Sequence, residues 1–144
     1  MKKVLFVCTG NTCRSPMAAA WLSSQKKRGI EVKSAGLFAM DGQPISAHAA
    51  AVLAQQGIDS SHTSSSITRE MLDWATHIFT MTSSHKQMLA NQAPDTIDKL
   101  FTLKEFVGEN GDVADPYGGD LSVYQMTFEE MQQLINRAVK KLEN

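Results

Sequence analysis

The most constraining feature of this sequence is a short apolar run that leads through a loop into a helix start. Residues 4–7, VLFV, are typical of a buried strand, and we predict a strand over residues 3–8. Ser15-Pro16 predicts a helix N-terminus, with Ser15 as the N-cap and Pro16 at the first helical position. We expect this helix to reach about Arg28. A buried strand followed by a helix is the repeating unit of α/β folds.

Strand and helix patterns alternate along the rest of the chain. Further strands are predicted over residues 31–35, 77–81 and 99–102. Further helices are predicted from Pro44 or Ser46 to Gly57, from a cap near Thr68 through residue 74, and over residues 83–91. A last helix is predicted near the end of the sequence, and its apolar face consists of Phe128, Met131, Leu134, Ile135, Ala138, Val139 and Leu142. The pattern predicts an α/β fold with a parallel sheet covered by helices on both faces. Ligands bind such sheets beyond the carboxyl ends of the strands, and Cys8 ends the first strand.

The composition is that of one globular domain over residues 1–144. Hydrophobic residues make up 42% and charged residues 20% of the 144. A net charge of -1 argues against a nucleic-acid partner, and no apolar run approaches the ~20 residues of a membrane helix. The apolar run near the N-terminus is too short for a signal peptide, so we expect a cytoplasmic protein. We also expect a monomer. Two cysteines and four scattered histidines give no metal-ligand spacing, and we expect no metal or cofactor.

The loop over residues 8–15, called the phosphate loop below, holds Cys8 and Arg14 six positions apart. Backbone N–H groups and the helix dipole favour an anion at a helix N-terminus. Arg14 can hold two oxygens of a phosphate, and the same field favours the thiolate of Cys8. The predicted reaction is in-line attack of Cys8 on phosphorus to give a phosphocysteine, and it requires no metal.

Other residues of the phosphate loop have more than one interpretation. Gly10 permits a positive φ, and Asn11 tolerates one while its amide can tie the loop to itself. Ser15 can donate its hydroxyl to the thiolate, cap the helix, or do both. Cys8 is alternatively an inert core cysteine, although the strand before it and the helix start after it favour a nucleophile. Cys13 either packs under the loop or pairs reversibly with Cys8, which would protect the nucleophile from over-oxidation.

The reaction also needs a general acid that protonates the leaving atom and then activates water. The candidates are the aspartates in loop-like sequence: Asp41, Asp112, Asp115 and Asp120. Asp115 is favoured because Pro116 limits the freedom of its backbone and Tyr117 can form a pocket wall. Gly118-Gly119 allows a tight bend after them. The alternative is that Asp115 is only a turn residue.

Residues 8–15, CTGNTCRS, together with Asp115-Pro116-Tyr117, resemble the low-molecular-weight protein-tyrosine phosphatase family over essentially the whole chain. The resemblance implies a Rossmann-like, four-stranded parallel sheet, with Cys8 as nucleophile, Arg14 as phosphate clamp and Asp115 as general acid. It strengthens the redox pairing of Cys8 with Cys13. The remaining predicted substrate-binding residues are Thr9, Gly10, Asn11, Thr12, Cys13, Ser15, Phe38 and Tyr117.

Thr12 separates two branches of that family. Typical tyrosine phosphatases carry Ile or Leu at this position, whereas the bacterial protein-arginine phosphatase branch carries Thr. Residues 101–105 and 115–119 also resemble the arginine branch. A hydroxyl suits a planar guanidinium, which is rich in N–H donors, better than an aliphatic wall does. The predicted substrates are therefore proteins that carry phosphoarginine.

Three alternative functions remain. A tyrosine phosphatase would use the same loop and acid. An arsenate reductase would pass a disulfide along further cysteines, and the sequence has none beyond Cys13. A non-catalytic phosphate-binding module would need neither a thiol nor an acid.

Overall fold

The computed structural model describes residues 1–143. The strands are β1 (Lys2–Cys8), β2 (Ile30–Gly36), β3 (His77–Thr80) and β4 (Leu100–Thr102). The helices are α1 (Arg14–Ser24), α2 (Ala47–Gln55), α3 (Arg69–Trp74), α4 (Ser83–Gln92), α5 (Leu103–Phe106) and α6 (Leu121–Glu143). The sheet has the strand order β2-β1-β3-β4, and every pairing is parallel. The predicted fold class is confirmed. Among the described helices, none combines the length and hydropathy needed to cross a bilayer.

The sheet separates two hydrophobic layers, and β1 contributes to both because successive strand residues point to opposite faces. Val4 and Phe6 lie in the layer that α1, α2 and α6 cover. Leu5 and Val7 lie in the layer that α3 and α4 cover. The apolar face predicted for the last helix is buried throughout. Helices on both faces explain why β1 is apolar at consecutive positions instead of alternating with polar residues.

The boundaries of α1 differ from the prediction. The helix begins at Arg14, its N-cap is Cys13, and no side chain caps it. Ser15 as N-cap was therefore wrong, because its hydroxyl contacts Cys8 and Asn11 instead. The helix ends at Ser24, before Arg28, since Lys26 has a φ of 50° and the backbone has already left the helical region.

Two short elements were not predicted. A 3₁₀ turn, Pro94–Lys99, leads into β4, and α5 follows that strand directly. Thr102 begins α5 through a capping box, in which its hydroxyl accepts from the Glu105 N–H and the Glu105 carboxylate accepts from the Thr102 N–H.

The strand order reverses at β1, because the chain passes to β2 on one side and later to β3 on the other. The carboxyl end of β1, at Cys8, is therefore the topological switch point where such sheets bind ligands. Gly36 ends β2 in register with Cys8. A Cβ at Gly36 would lie 2.6 Å from the carbonyl oxygen of Thr9, so only glycine allows β2 to approach the phosphate loop this closely.

Candidate active site

A cavity of about 300 Å³ opens at the switch point. It is lined by Cys8, Thr9, Gly10, Thr12, Cys13, Arg14, Asp115 and Tyr117. The structure thus brings the two predicted motifs together, although they lie at opposite ends of the sequence. Asn11 and Ser15, which also belong to the phosphate loop, are buried and do not line the cavity.

Phe38 is not a wall of this cavity. Its side chain is 64% exposed, and its contact with the phosphate loop is a backbone N–H that donates to the Thr9 carbonyl at 2.9 Å. An aromatic residue just after a strand indicates proximity to the loop, but the sequence does not show which way the side chain points. The predicted substrate-binding role of Phe38 therefore has no support from the cavity lining.

Cys8 is buried and lines the cavity, with its Sγ 2.8 Å from the Oγ of Ser15. The side-chain amide of Asn11 donates to the same Ser15 oxygen at 2.8 Å. Because that oxygen already accepts a hydrogen bond from Asn11, the Ser15 hydroxyl hydrogen is available to the sulfur. The arrangement suits a Ser15 that stabilises a negatively charged Cys8.

Asn11 holds the conformation of the phosphate loop. Its φ is 57°, whereas Gly10 does not adopt a positive φ, so the left-handed position expected in this loop falls on Asn11. The buried amide also donates to Ser34 Oγ at 3.0 Å and accepts from the Ser65 N–H at 2.9 Å, and the Asn11 carbonyl oxygen lies 2.7 Å from His62 Nε2. Sequence reasoning missed Ser34, Ser65 and His62 as partners, because each is more than 20 residues from Asn11 and no local pattern marks them.

Arg14 is buried and is hydrogen-bonded to the segment that carries the predicted acid, Asp115. Its Nη1 donates to the carbonyl of Val113 at 2.8 Å, and its Nη2 lies 3.8 Å from Asp115 Oδ2. Asp115 is about half exposed, and its Oδ1 accepts from the Tyr117 N–H at 3.0 Å. The guanidinium therefore contacts the backbone two residues before Asp115 and lies near the Asp115 carboxylate.

The other three candidate aspartates bind backbone or hydroxyl groups elsewhere. Asp41 accepts from the Ser66 N–H, and Asp112 accepts from the Ser83 N–H. Asp120 accepts from Ser122 Oγ and the Val123 N–H, and the bond from Ser122 lowers its pKa. Of the four, Asp115 is the one that lines the cavity.

The segment after Asp115 makes a tight bend at the cavity mouth, as predicted. Gly118 has a φ of 83°, and the Gly119 N–H donates to the Pro116 carbonyl at 2.8 Å. The bend leaves Tyr117 81% exposed at the rim. Tyr117 can therefore contact the part of a substrate that carries the phosphate.

Cys13 is buried, and its Sγ lies 3.5 Å from both the Ser46 and the Tyr124 hydroxyl oxygens. Burial and the contact with Cys13 raise the pKa of Tyr124 to about 12, so the phenol is neutral at physiological pH. Cys8 and Cys13 are both free thiols.

His85, at the start of α4, is a further contact that sequence reasoning missed. Its Nε2 lies 2.8 Å from the Thr9 hydroxyl, and the residue is 7% exposed. Burial, and next the charge of Arg14, lower the pKa of His85, so the ring is neutral at pH 7. Within residues 1–143, no group of three or more His, Cys, Asp or Glu side chains is placed to hold a metal ion.

A buried thiol, a cation and an exposed carboxylate that line the same cavity have a chemical use that employs all three groups. That use is thiol attack on phosphorus, and the fold and site therefore define a cysteine-dependent phosphatase. Residues 3–144 match the family described as low molecular weight phosphotyrosine protein phosphatase, and the chain belongs to this family.

Within this family, the chain is similar over almost its whole length to proteins named as arginine phosphatases. The chain is 52% identical over 142 residues to a protein-arginine-phosphatase of Geobacillus stearothermophilus, covering 98% of this chain and 96% of that protein. It is 43% identical over 143 residues to a protein-arginine-phosphatase of Bacillus subtilis (strain 168), covering 96% and 95%. Among solved structures, it superposes with a TM-score of 0.95 and 41% identity on a cysteine-to-serine mutant of YwlE arginine phosphatase with a phosphorylated active-site serine, covering 99% and 96%.

Proposed function

We propose that this protein is a protein phosphatase that hydrolyses phosphoarginine on proteins through a phosphocysteine intermediate. The observation that carries the choice of substrate is that Thr12 lines the same cavity as the nucleophile Cys8. A guanidinium offers only N–H donors, and a threonine hydroxyl can accept from one. The full-length similarity to protein-arginine-phosphatases supports the same choice.

In the first step, the Cys8 thiolate attacks phosphorus in line with the departing guanidine nitrogen. The S–P bond forms as the P–N bond breaks, and Asp115 gives its proton to the nitrogen. The loop N–H groups and the Arg14 guanidinium hold the equatorial oxygens, where charge develops. Arg14 is positioned for this role by its bond to the Val113 carbonyl.

In the second step, water hydrolyses the phosphocysteine. Asp115, now a carboxylate, takes a proton from the attacking water, and the S–P bond breaks to release inorganic phosphate. Cys8 departs as a thiolate that the Ser15 hydroxyl stabilises. About half of the Asp115 side chain is exposed, so the proton can be exchanged with solvent.

The proposal also covers the domain organisation, oligomeric state, compartment and cofactor requirement of the enzyme. We infer a single phosphatase domain over residues 1–144, acting as a cytoplasmic monomer on phosphorylated proteins, without a metal or other cofactor. The single sheet with its two hydrophobic layers supports one domain. The two free thiols support a reducing compartment, in which reversible pairing of Cys8 with Cys13 would act as a redox switch.

The experiment is a comparison of kcat/KM for two peptides of the same sequence, one with phosphoarginine and one with phosphotyrosine, under reducing conditions. We expect a large preference for phosphoarginine. Cys8→Ser is the control, and it should hydrolyse neither peptide. A preference for phosphotyrosine would contradict the substrate assignment while leaving the phosphatase chemistry intact.

A further inference from the structure

The mechanism above makes no use of the buried imidazole of His85. Its Nε2 lies 2.8 Å from the hydroxyl oxygen of Thr9, a residue that lines the cavity. Its other ring nitrogen, Nδ1, is fully buried and has no hydrogen-bond partner within residues 1–143. One ring nitrogen is thus bound to the phosphate loop, and the other is surrounded by protein without a partner.

This asymmetry selects the tautomer. A neutral imidazole carries one N–H, on either Nδ1 or Nε2. An N–H on Nδ1 would be a buried donor without an acceptor, which folded proteins rarely leave. With the hydrogen on Nε2, Nδ1 is only an acceptor that receives no hydrogen bond. We therefore assign the hydrogen to Nε2, so that His85 donates to the Thr9 oxygen.

The tautomer determines what the Thr9 hydroxyl can do. Its oxygen accepts from His85, so its own hydrogen is free to be donated to another group. In the part of the chain that the structure describes, this hydroxyl has no second hydrogen-bond partner. Because Thr9 lines the cavity, a bound ligand is the available acceptor. Phosphoryl oxygens accept hydrogen bonds, whereas a guanidinium only donates them.

We propose that His85 is a positioning residue that orients the Thr9 hydroxyl as a hydrogen-bond donor to the phosphoryl group. The inference rests on the proposed phosphatase function. It adds a side-chain donor to the backbone N–H groups of the loop and to Arg14.

The start of α4 holds His85 in this position. The Thr82 side chain accepts from the His85 backbone N–H at 3.1 Å, and the Ser83 N–H donates to Asp112 at 2.8 Å. The same helix end therefore contacts the phosphate loop through His85 and the acid-bearing segment through Asp112. The charged groups that act on the ring are Arg14, Asp112 and Asp115, and Arg14 opposes its protonation.

The first test is the tautomer itself. Long-range ¹H–¹⁵N correlation spectra of the ¹⁵N-labelled enzyme at neutral pH distinguish a hydrogen on Nε2 from one on Nδ1. We expect the Nε2–H form. A hydrogen on Nδ1 would overturn the proposal, because Thr9 would then have to donate to His85.

The second test measures oxyanion binding in five variants, four single and one double. Thr9→Val removes the hydroxyl and His85→Leu removes its donor, and each should weaken inhibition by orthovanadate by about tenfold or more. His85→Gln, which can keep an N–H near the position of Nε2, should recover most of this affinity, as should Thr9→Ser. The double variant Thr9→Val/His85→Leu should bind orthovanadate no more weakly than Thr9→Val alone.

Additive losses in the double variant, or equal losses in His85→Leu and His85→Gln, would show a merely structural role and overturn the proposal. Unfolding free energies of all variants, measured in parallel, identify any that fail to fold, and His85→Gln and Thr9→Ser then carry the comparison. Orthovanadate contains no guanidine, so this result does not depend on which phosphorylated residue the enzyme prefers. A failed arginine preference and a failed role of His85 are thus distinguishable.

Discussion

Thr12 is the residue at which the substrate preference can be tested by one substitution. Ile in its place removes the hydroxyl and adds an apolar surface that suits a phenyl ring. We expect Thr12→Ile to lower the ratio of kcat/KM for phosphoarginine over phosphotyrosine peptides by about tenfold or more. Thr12→Val is the matched control, because it removes the hydroxyl with little change in volume. An unchanged ratio in both variants would exclude Thr12 as the determinant.

Cys13 offers a second test at the scale of one residue. A Cys8 sulfenic acid that condenses with Cys13 becomes a disulfide, which a thiol reductant reverses, whereas further oxidation of Cys8 is irreversible. After treatment with peroxide, we expect dithiothreitol to restore most of the activity of the wild type and little of that of Cys13→Ser. Equal recovery in the two proteins would show that the pair does not protect the nucleophile. Mass spectrometry of the oxidised wild type identifies the disulfide directly.

At the scale of elements, the unit formed by β1, the phosphate loop and α1 shows which features of the site the sequence predicts and which it does not. That Cys8 and Arg14 would line one cavity was predictable because a contiguous motif follows a buried strand. That Asp115 would join them there was predictable only as the best choice among four aspartates. The predicted start of α1 was wrong because the N-cap rule considers only the local sequence around Ser15. In the structure the Ser15 hydroxyl instead contacts the sulfur of Cys8.

The contacts that the sequence did not reveal are those that cross the fold. Ser34 and Ser65 reach the Asn11 amide from 23 and 54 residues away, and His85 reaches Thr9 from 76 residues away. No periodicity or turn pattern connects such positions, because they meet only after the sheet has formed. The chemistry was thus readable from the sequence, while the groups that hold it in place were not.

The junction between β2 and the phosphate loop gives a prediction at the scale of elements. In Gly36→Ala, the new Cβ would lie 2.6 Å from a backbone oxygen of the loop and 2.8 Å from Ala39 Cβ, so the loop or the strand must shift. We expect a loss of about 1–3 kcal/mol in the free energy of unfolding, together with a lower kcat. Gly10→Ala is the control for stability, since its Cβ would meet nothing closer than 3.8 Å. Equal unfolding free energies in the two variants would contradict this account.

At the scale of the whole molecule, the active site depends on how the sheet collects distant segments. The Val113 N–H donates to the Met81 carbonyl just after β3, and the Val113 carbonyl accepts from Arg14, the first residue of the helix that the phosphate loop joins to β1. The acid-bearing segment is therefore fixed across the ends of two adjacent strands. This explains how Asp115 comes to lie beside a cation that stands about a hundred residues earlier in the sequence.

The same assembly makes global stability depend on pH. Burial and Arg14 lower the pKa of His85, and Asp112 and Asp115 oppose this shift only in part. The unfolded chain binds a proton at His85 below about pH 6.5, whereas the folded chain does so only at lower pH. The contribution of the neutral, buried ring is therefore complete above about pH 6.5 and is lost as the pH falls towards the folded pKa.

We accordingly expect the unfolding free energy of the wild type to fall more steeply than that of His85→Gln between about pH 7 and about pH 5. Denaturant titrations of both proteins across this range measure the two slopes. His77, whose pKa burial also lowers, is present in both proteins, so the difference between the slopes reports His85 alone. Parallel slopes would mean that His85 is protonated as readily in the folded chain as in the unfolded one, which its burial beside Arg14 opposes.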